Sequence, residues 1–163
     1  MANFTFDIAL GREVEFHNRV NSNDPTNSAL ILVVLASVGL EADAVLRTYA
    51  DLSTLLAASN NQVTNTNYAR KTLTDANISA PSVNTTTHKT TLSFDTAVQA
   101  FTTILAGDAW RKILVCYDSD TTGGTDADIV PVSAHDLLIS GAAVVPNGNT
   151  INVDFSAGYL VAS

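Results

Sequence analysis

Between Trp110 and Val132 the chain reads WRKILVCYDSDTTGGTDADIVPV, two apolar runs joined by an acidic, glycine-centred stretch. Ile113, Leu114, Val115, Cys116 and Tyr117 form a β-branched and aromatic run with the length and chemistry of a buried strand. Asp118 to Asp128 contains only Asp, Ser, Thr, Gly and Ala, too little apolar surface to order itself within a core. That segment therefore belongs outside, with the chain returning at Ile129, Val130 and Val132. The unit is β-type with a surface loop, and nothing in it is arranged like a catalytic site.

A second run, ALILVVL from Ala29 to Leu35, fits a strand buried on both faces. It follows the turn formers NSNDPTNS, in which Pro25 fixes a backbone angle and lacks a ladder donor. Nearer the N-terminus Phe4, Phe6, Ile8 and Leu10 alternate with more polar positions, the period of a half-buried strand. Gly11 interrupts that pattern. Val14 and Phe16 resume it and read as a second short strand after a bulge, with a helix from Arg12 to Val20 as the competitor.

Asp51 is an N-cap candidate ahead of leucines 52, 55 and 56, whose spacing predicts one short helix ending near Ser59, Asn60 and Asn61. Residues 60–91 are rich in Asn and Thr and carry Tyr68, Leu73, Ile78 and Val83 as isolated apolar anchors, so strands there should be short or at an edge. Leu92 and Phe94 suggest another strand. Val98, Phe101, Ile104 and Leu105 fit either a strand or a helical turn. Pro146-Asn-Gly-Asn marks a turn before a closing strand, Thr150 to Phe155, with Ile151, Val153 and Phe155 inward. The whole, residues 1–163, reads as one mainly β domain, a β-sandwich or jelly-roll-like fold with one short helix.

Composition narrows the function. Charged residues are 15% of the chain and the formal net charge is −8, the wrong sign for neutralising phosphates, so nucleic acid is not an expected partner. The single cysteine, Cys116, excludes an intramolecular disulfide. The apolar run at Ala29 to Val38 is half the length needed to cross a bilayer as a helix, so no membrane partner is expected. MANFTFDIALGREVEF has no basic n-region, and the protein is expected to begin near Met1.

Candidate chemistry is sparse. Asp118, Asp120, Asp126 and Asp128 flank Gly123 and Gly124 and are the candidate metal ligands, for calcium, although their spacing differs from an EF-hand loop. An exposed turn whose acids keep it hydrated is the favoured reading. His17, His88 and His135 show no metal-ligand spacing. His135 and Asp136 adjoin, but neighbours on a strand face opposite sides. Glu13 and Glu15 lie two apart on one face of the expected strand and read as solvated acids. No nucleophile elbow, phosphate-cradling loop or dinucleotide fingerprint is present. No enzyme and no cofactor are expected.

The stretches NRVNSNDPTNSALILVVLASVGLEAD, NYARKTLTDA and KILVCYDSDTTGGTDADIVPVSAHD, with the short apolar C-terminus ending in Ala-Ser, resemble a family of small virion structural proteins of tailed bacteriophages. The resemblance is weakest between Ser79 and Gly107 and carries no catalytic motif. It implies a capsid decoration or cement protein at the virion surface. Such a protein would bind the major capsid protein through strand edges and apolar chain ends, as a homo-oligomer such as a trimer. The alternative is a tail, tail-fibre or head-fibre component that binds host glycans.

Overall fold

The computed structural model of the chain describes residues 3–162. In chain order, β1 (Phe4–Thr5) leads through a 3-10 turn at Asp7–Ala9 to α1 (Glu13–Asn21), β2 (Ala29–Ala36), α2 (Asp43–Leu46), α3 (Leu52–Ala57) and β3 (Lys71–Leu73). After a second 3-10 turn at Asp75–Asn77 come β4 (Ser82–Asn84), β5 (Lys89–Leu92), β6 (Val98–Phe101) and β7 (Trp110–Asp118). The chain closes with β8 (Val130–Asp136), β9 (Leu138–Ile139), β10 (Ala142–Ala143), β11 (Ile151–Asp154) and β12 (Leu160–Ala162). Strand makes up 34% and helix 16%, so the fold is mainly β and sandwich-like.

The organising element is an antiparallel five-stranded sheet in the order β1-β8-β7-β2-β3. Its two central strands are the two apolar runs of the sequence, paired from Ala29 opposite Asp118 to Ala36 opposite Trp110. Every residue of β2 is buried, which explains why that run is continuous rather than alternating: both faces of the sheet are covered.

On one face Leu30, Leu32 and Val34 join Ile113, Val115 and Tyr117 in a core that also takes Phe16 and Val20 of α1. Two small sheets, β4-β5-β12 and β6-β11, cover this face and contribute Leu92, Phe101 and Val153. On the other face Ile31, Val33, Leu35, Leu114 and Cys116 pack against Phe4, Phe6, Leu46, Leu52 and Leu55. Pro131 sits in β8 where the pairing with β7 shifts at Val115/Cys116, one of the few places where a sheet tolerates the missing donor.

α3 starts as its sequence predicts. Asp51 Oδ1 accepts the Thr54 backbone N–H at 2.8 Å, and Leu52 and Leu55 are buried. Two other expectations fail. The N-terminal strand stops at Thr5; Ile8 and Leu10, expected inward, are 39% and 58% exposed. The second expected strand, around Val14 and Phe16, is the helix α1.

The alternation at Val14 and Phe16 spans only three residues. Against it stand Phe16 and Val20, one helical turn apart and both buried, and the ion pairs that Glu15 makes with Arg12 and Arg19 at 3.1 and 2.9 Å. Those spacings, i to i+3 and i to i+4, are the ones that make side chains neighbours on a helix surface. Glu13 and Glu15 therefore do not share a strand face, and the described residues form three α-helices rather than one.

Candidate groove around His135

β8 sends alternate side chains to opposite faces of the main sheet. Ser133, opposite Val115 in register, and His135 face the small sheets. Ser133 Oγ and His135 Nε2 are 3.0 Å apart, and the imidazole meets the Phe155 ring edge-on at 5.5 Å. Burial, with the positive charge of Lys112 as a second cause, pushes the His135 pKa down to about 4. The ring is therefore neutral near pH 7.

Asp136 lies on the opposite face. It accepts from Lys112 Nζ at 2.6 Å and Arg111 Nη1 at 2.8 Å, and Lys112, only 2% exposed, also pairs with Asp43 at 2.9 Å. Buried charges persist only when paired in this way. His135 and Asp136 form no dyad. Among the described residues nothing hydrogen-bonds His135 Nδ1, so the hydroxyl–imidazole pair lacks the orienting third group of an activated nucleophile.

Two adjacent cavities flank His135. The larger, about 550 Å³, lies between the β8–β10 end, with Ile139 and Val145, and β11 with its following turn, including Asn152, Asp154 and Ala157. The smaller, about 330 Å³, separates Phe4 and Thr5 of β1 from Tyr159, Leu160 and Val161. Asn3, His135, Ala157 and Gly158 line both. The sequence gives no warning of this groove, because its walls meet only through the long-range placement of β11 and β12; the Ser-Ala-His spacing on β8 was its one local sign.

The other polar candidates are engaged elsewhere. His17 is fully buried; its Nε2–H donates to the Ser79 carbonyl at 2.7 Å and its Nδ1 accepts from the Tyr159 hydroxyl at 2.9 Å. It thus ties α1 to the 79 loop and to the start of β12, and burial lowers its pKa. His88 sits in the turn between β4 and β5. Cys116 is buried, which pushes its thiol pKa up and leaves it unreactive.

The acidic loop is exposed over 120–125, but its carboxylates do not converge. Asp118 Oδ1 accepts the Asp120 backbone N–H at 3.0 Å, Asp120 accepts from Thr122, and Asp128 caps Thr125. Asp126 turns away to a bidentate pair with Arg70, at 2.5 and 2.8 Å, which holds its pKa below the usual carboxylate range. Among the described residues no three His, Cys, Asp or Glu side chains are placed to hold a metal. No helix among them is long and apolar enough to cross a membrane. No family model, curated protein or solved structure matches the chain.

Proposed function

We propose that this chain is a non-enzymatic structural protein of a tailed-phage virion that decorates and reinforces the capsid surface. It would dock on the major capsid protein as a small symmetric oligomer, with a trimer suited to local three-fold positions. The observation that carries this reading is a set of exposed aliphatic side chains on two neighbouring segments. Ile8, Leu10 and Val45 are 39%, 58% and 47% exposed. They lie on two segments that are joined by the Asp7 N–H to Arg47 carbonyl hydrogen bond at 3.0 Å. A protein that docks by area rather than chemistry needs such a surface.

The apolar chain ends are only partly available: Phe6 is fully buried, and Phe4 and Tyr159 are 8% and 2% exposed, whereas Val161 is 48% exposed. Docking therefore falls to the exposed turn and helix side chains and to open strand edges. The net charge of −8 favours solubility at high local copy number. The resemblance to small virion proteins supports the same reading.

Imaging purified particles at subunit resolution tests it. Many copies on the outer shell, with Ile8, Leu10 and Val45 at the contact, are expected. A few copies at the portal or tail would overturn decoration in favour of a tail or fibre component.

A further inference from the structure

We propose that the slot between β3 and β6 receives an extended peptide segment of a partner protein as an inserted strand, with an acidic side chain turned to Lys71. The slot belongs to the isolated molecule, so its occupancy does not depend on a place in a virion.

β3 is an edge of the main sheet and β6 an edge of a small one. The segments that carry them run antiparallel side by side and are joined at both ends. At one end Ile78 bridges Phe94, and the Asp95 N–H donates to the Asn77 carbonyl at 2.9 Å. At the other the Leu105 N–H donates to the Thr66 carbonyl at 3.2 Å and the Asn67 amide to the Thr103 carbonyl at 2.8 Å. Between these ends the two strands do not pair. A cavity of about 410 Å³ separates them, lined by Lys71, Thr72 and Leu73 on one side and Val98, Gln99 and Ala100 on the other.

Backbone groups of both edges face this slot. Val34 donates its N–H to the Tyr68 hydroxyl, and its carbonyl accepts the Val63 N–H, so the even-numbered residues of β2 turn toward β3. Leu30 and Leu32 then bond Leu73 and Lys71, while Thr72, opposite Ile31, turns its N–H and C=O away from β2. On β6 the Phe155 N–H donates to the Ala97 carbonyl at 2.8 Å. In that register Gln99 and Phe101 bond β11, and Val98 and Ala100 turn their backbone groups away from it. A strand laid in the slot would be paired on both sides, which is strand addition at two edges at once.

Side chains select the occupant. Alternation sends the inserted residues opposite Lys71 and Leu73 inward and the one opposite the exposed Thr72 outward. Leu73 is 6% exposed and calls for an aliphatic neighbour. Lys71 holds its ammonium 5.2 Å from the centroid of the Phe101 ring and, among the described residues, pairs with no carboxylate. No Asp or Glu lines the slot. The acids of the adjoining segments, Asp75 and Asp95, belong to the end closed by the Ile78–Phe94 bridge, whereas Lys71 stands at the other. A carboxylate opposite Lys71 would gain a charge-assisted hydrogen bond. The matching segment is therefore an acid and an aliphatic residue two apart.

The test is fluorescence anisotropy of the labelled heptapeptide Thr-Glu-Thr-Val-Thr-Glu-Thr, which offers that spacing in either chain direction, titrated with the intact protein. Saturable binding is expected, weaker by about tenfold or more when lysine replaces glutamate. N-methylation of the threonines, or of the glutamates and valine, should each weaken it by about tenfold or more, because one register faces β3 and the other β6. Lys71→Glu, checked for an intact melt, should reverse the order of the two peptides, and Lys71→Met should abolish the difference between them.

Absence of binding overturns the proposal, and so does equal affinity for the lysine peptide. Tolerance of N-methylation in either register would mean that the peptide is not held between two edges, and overturns it too. An order of peptides unchanged in Lys71→Glu, or a preference for glutamate retained by Lys71→Met, would place the peptide elsewhere and overturn it as well.

Discussion

Acidification from pH 7 to pH 5 should lower this protein's stability in a way traceable to one side chain, His135. Its folded pKa of about 4 lies below the ordinary 6.5. The unfolded chain therefore binds a proton through this window that the folded chain refuses, and stability falls as pH falls. The contribution is complete above 6.5 and is lost on the way down to the folded value. At about 1.4 kcal/mol per pH unit the gap has a ceiling of about 3 kcal/mol, of which about 2 kcal/mol is lost between pH 7 and pH 5.

His17 acts in the same direction, since burial lowers its pKa too. Carboxylates held below their usual range, Glu15, Asp120 and Asp126, contribute stability that is lost only at lower pH, beneath ordinary values of 4.5 and 3.8. The assay is urea unfolding followed by fluorescence of Trp110, the single tryptophan and fully buried. Wild type is compared with His135→Gln, which retains His17 and so subtracts it. The variant should lose about 2 kcal/mol less between pH 7 and pH 5. Parallel pH profiles would refute the reasoning, because they would mean that the folded protein accepts a proton on His135 without cost.

Three other perturbations test the packing. Val115→Asp places an uncompensated charge at a fully buried position of the central strand and should abolish folding, since its cost is comparable to a domain's entire stability; a soluble variant with a cooperative melt would remove this run from the core. Gly158 has φ +85, and a Cβ there would lie 2.5 Å from Thr91 Cγ2 and 2.9 Å from the Leu92 carbonyl oxygen. Gly158→Ala should therefore cost about 1–3 kcal/mol in urea unfolding, and an unchanged midpoint would contradict the close approach. Replacing Asp118, Asp120, Asp126 and Asp128 together by Asn should leave a folded protein, about 1 kcal/mol less stable from loss of the half-exposed Arg70 pair. Calcium should shift the Tm of neither form, and a calcium-dependent rise confined to wild type would restore the metal reading.

What could be read from the sequence follows the range of the interactions involved. The strands Ala29–Ala36 and Trp110–Asp118 were legible because a run buried on both faces needs no partner to be recognised. The Asp51 cap was legible because donor and acceptor lie three residues apart. α1 was misread because Val14 and Phe16 mimic a strand period, while the competing evidence, the Arg12–Glu15–Arg19 ion pairs, shows only when spacing is examined at three and four. Ile8 and Leu10 misled for another reason: apolar side chains need not be buried, and here the backbone turns beneath them.

The polar third of the chain was the least legible and does the most to shape the surface. Asn65 accepts the buried Trp110 Nε1–H at 2.9 Å and donates to the Leu105 and Asp108 carbonyls. The Tyr68 hydroxyl accepts the Val34 N–H at 2.9 Å, and Arg70 anchors Asp126 from 56 positions away. Each of these residues lies in a segment that composition marks as solvated, yet each satisfies a group of the central sheet or its loop that would otherwise be left without a partner. Short-range pattern detects apolar cores and misses polar clamps of this kind, because what identifies a clamp is a partner far away in sequence. The groove at His135 arises in the same way. β11 and β12 are brought over β8 by pairing with β6 and β5, and those distant pairings leave the gap between β1 and β12 that Thr5 and Leu160 line.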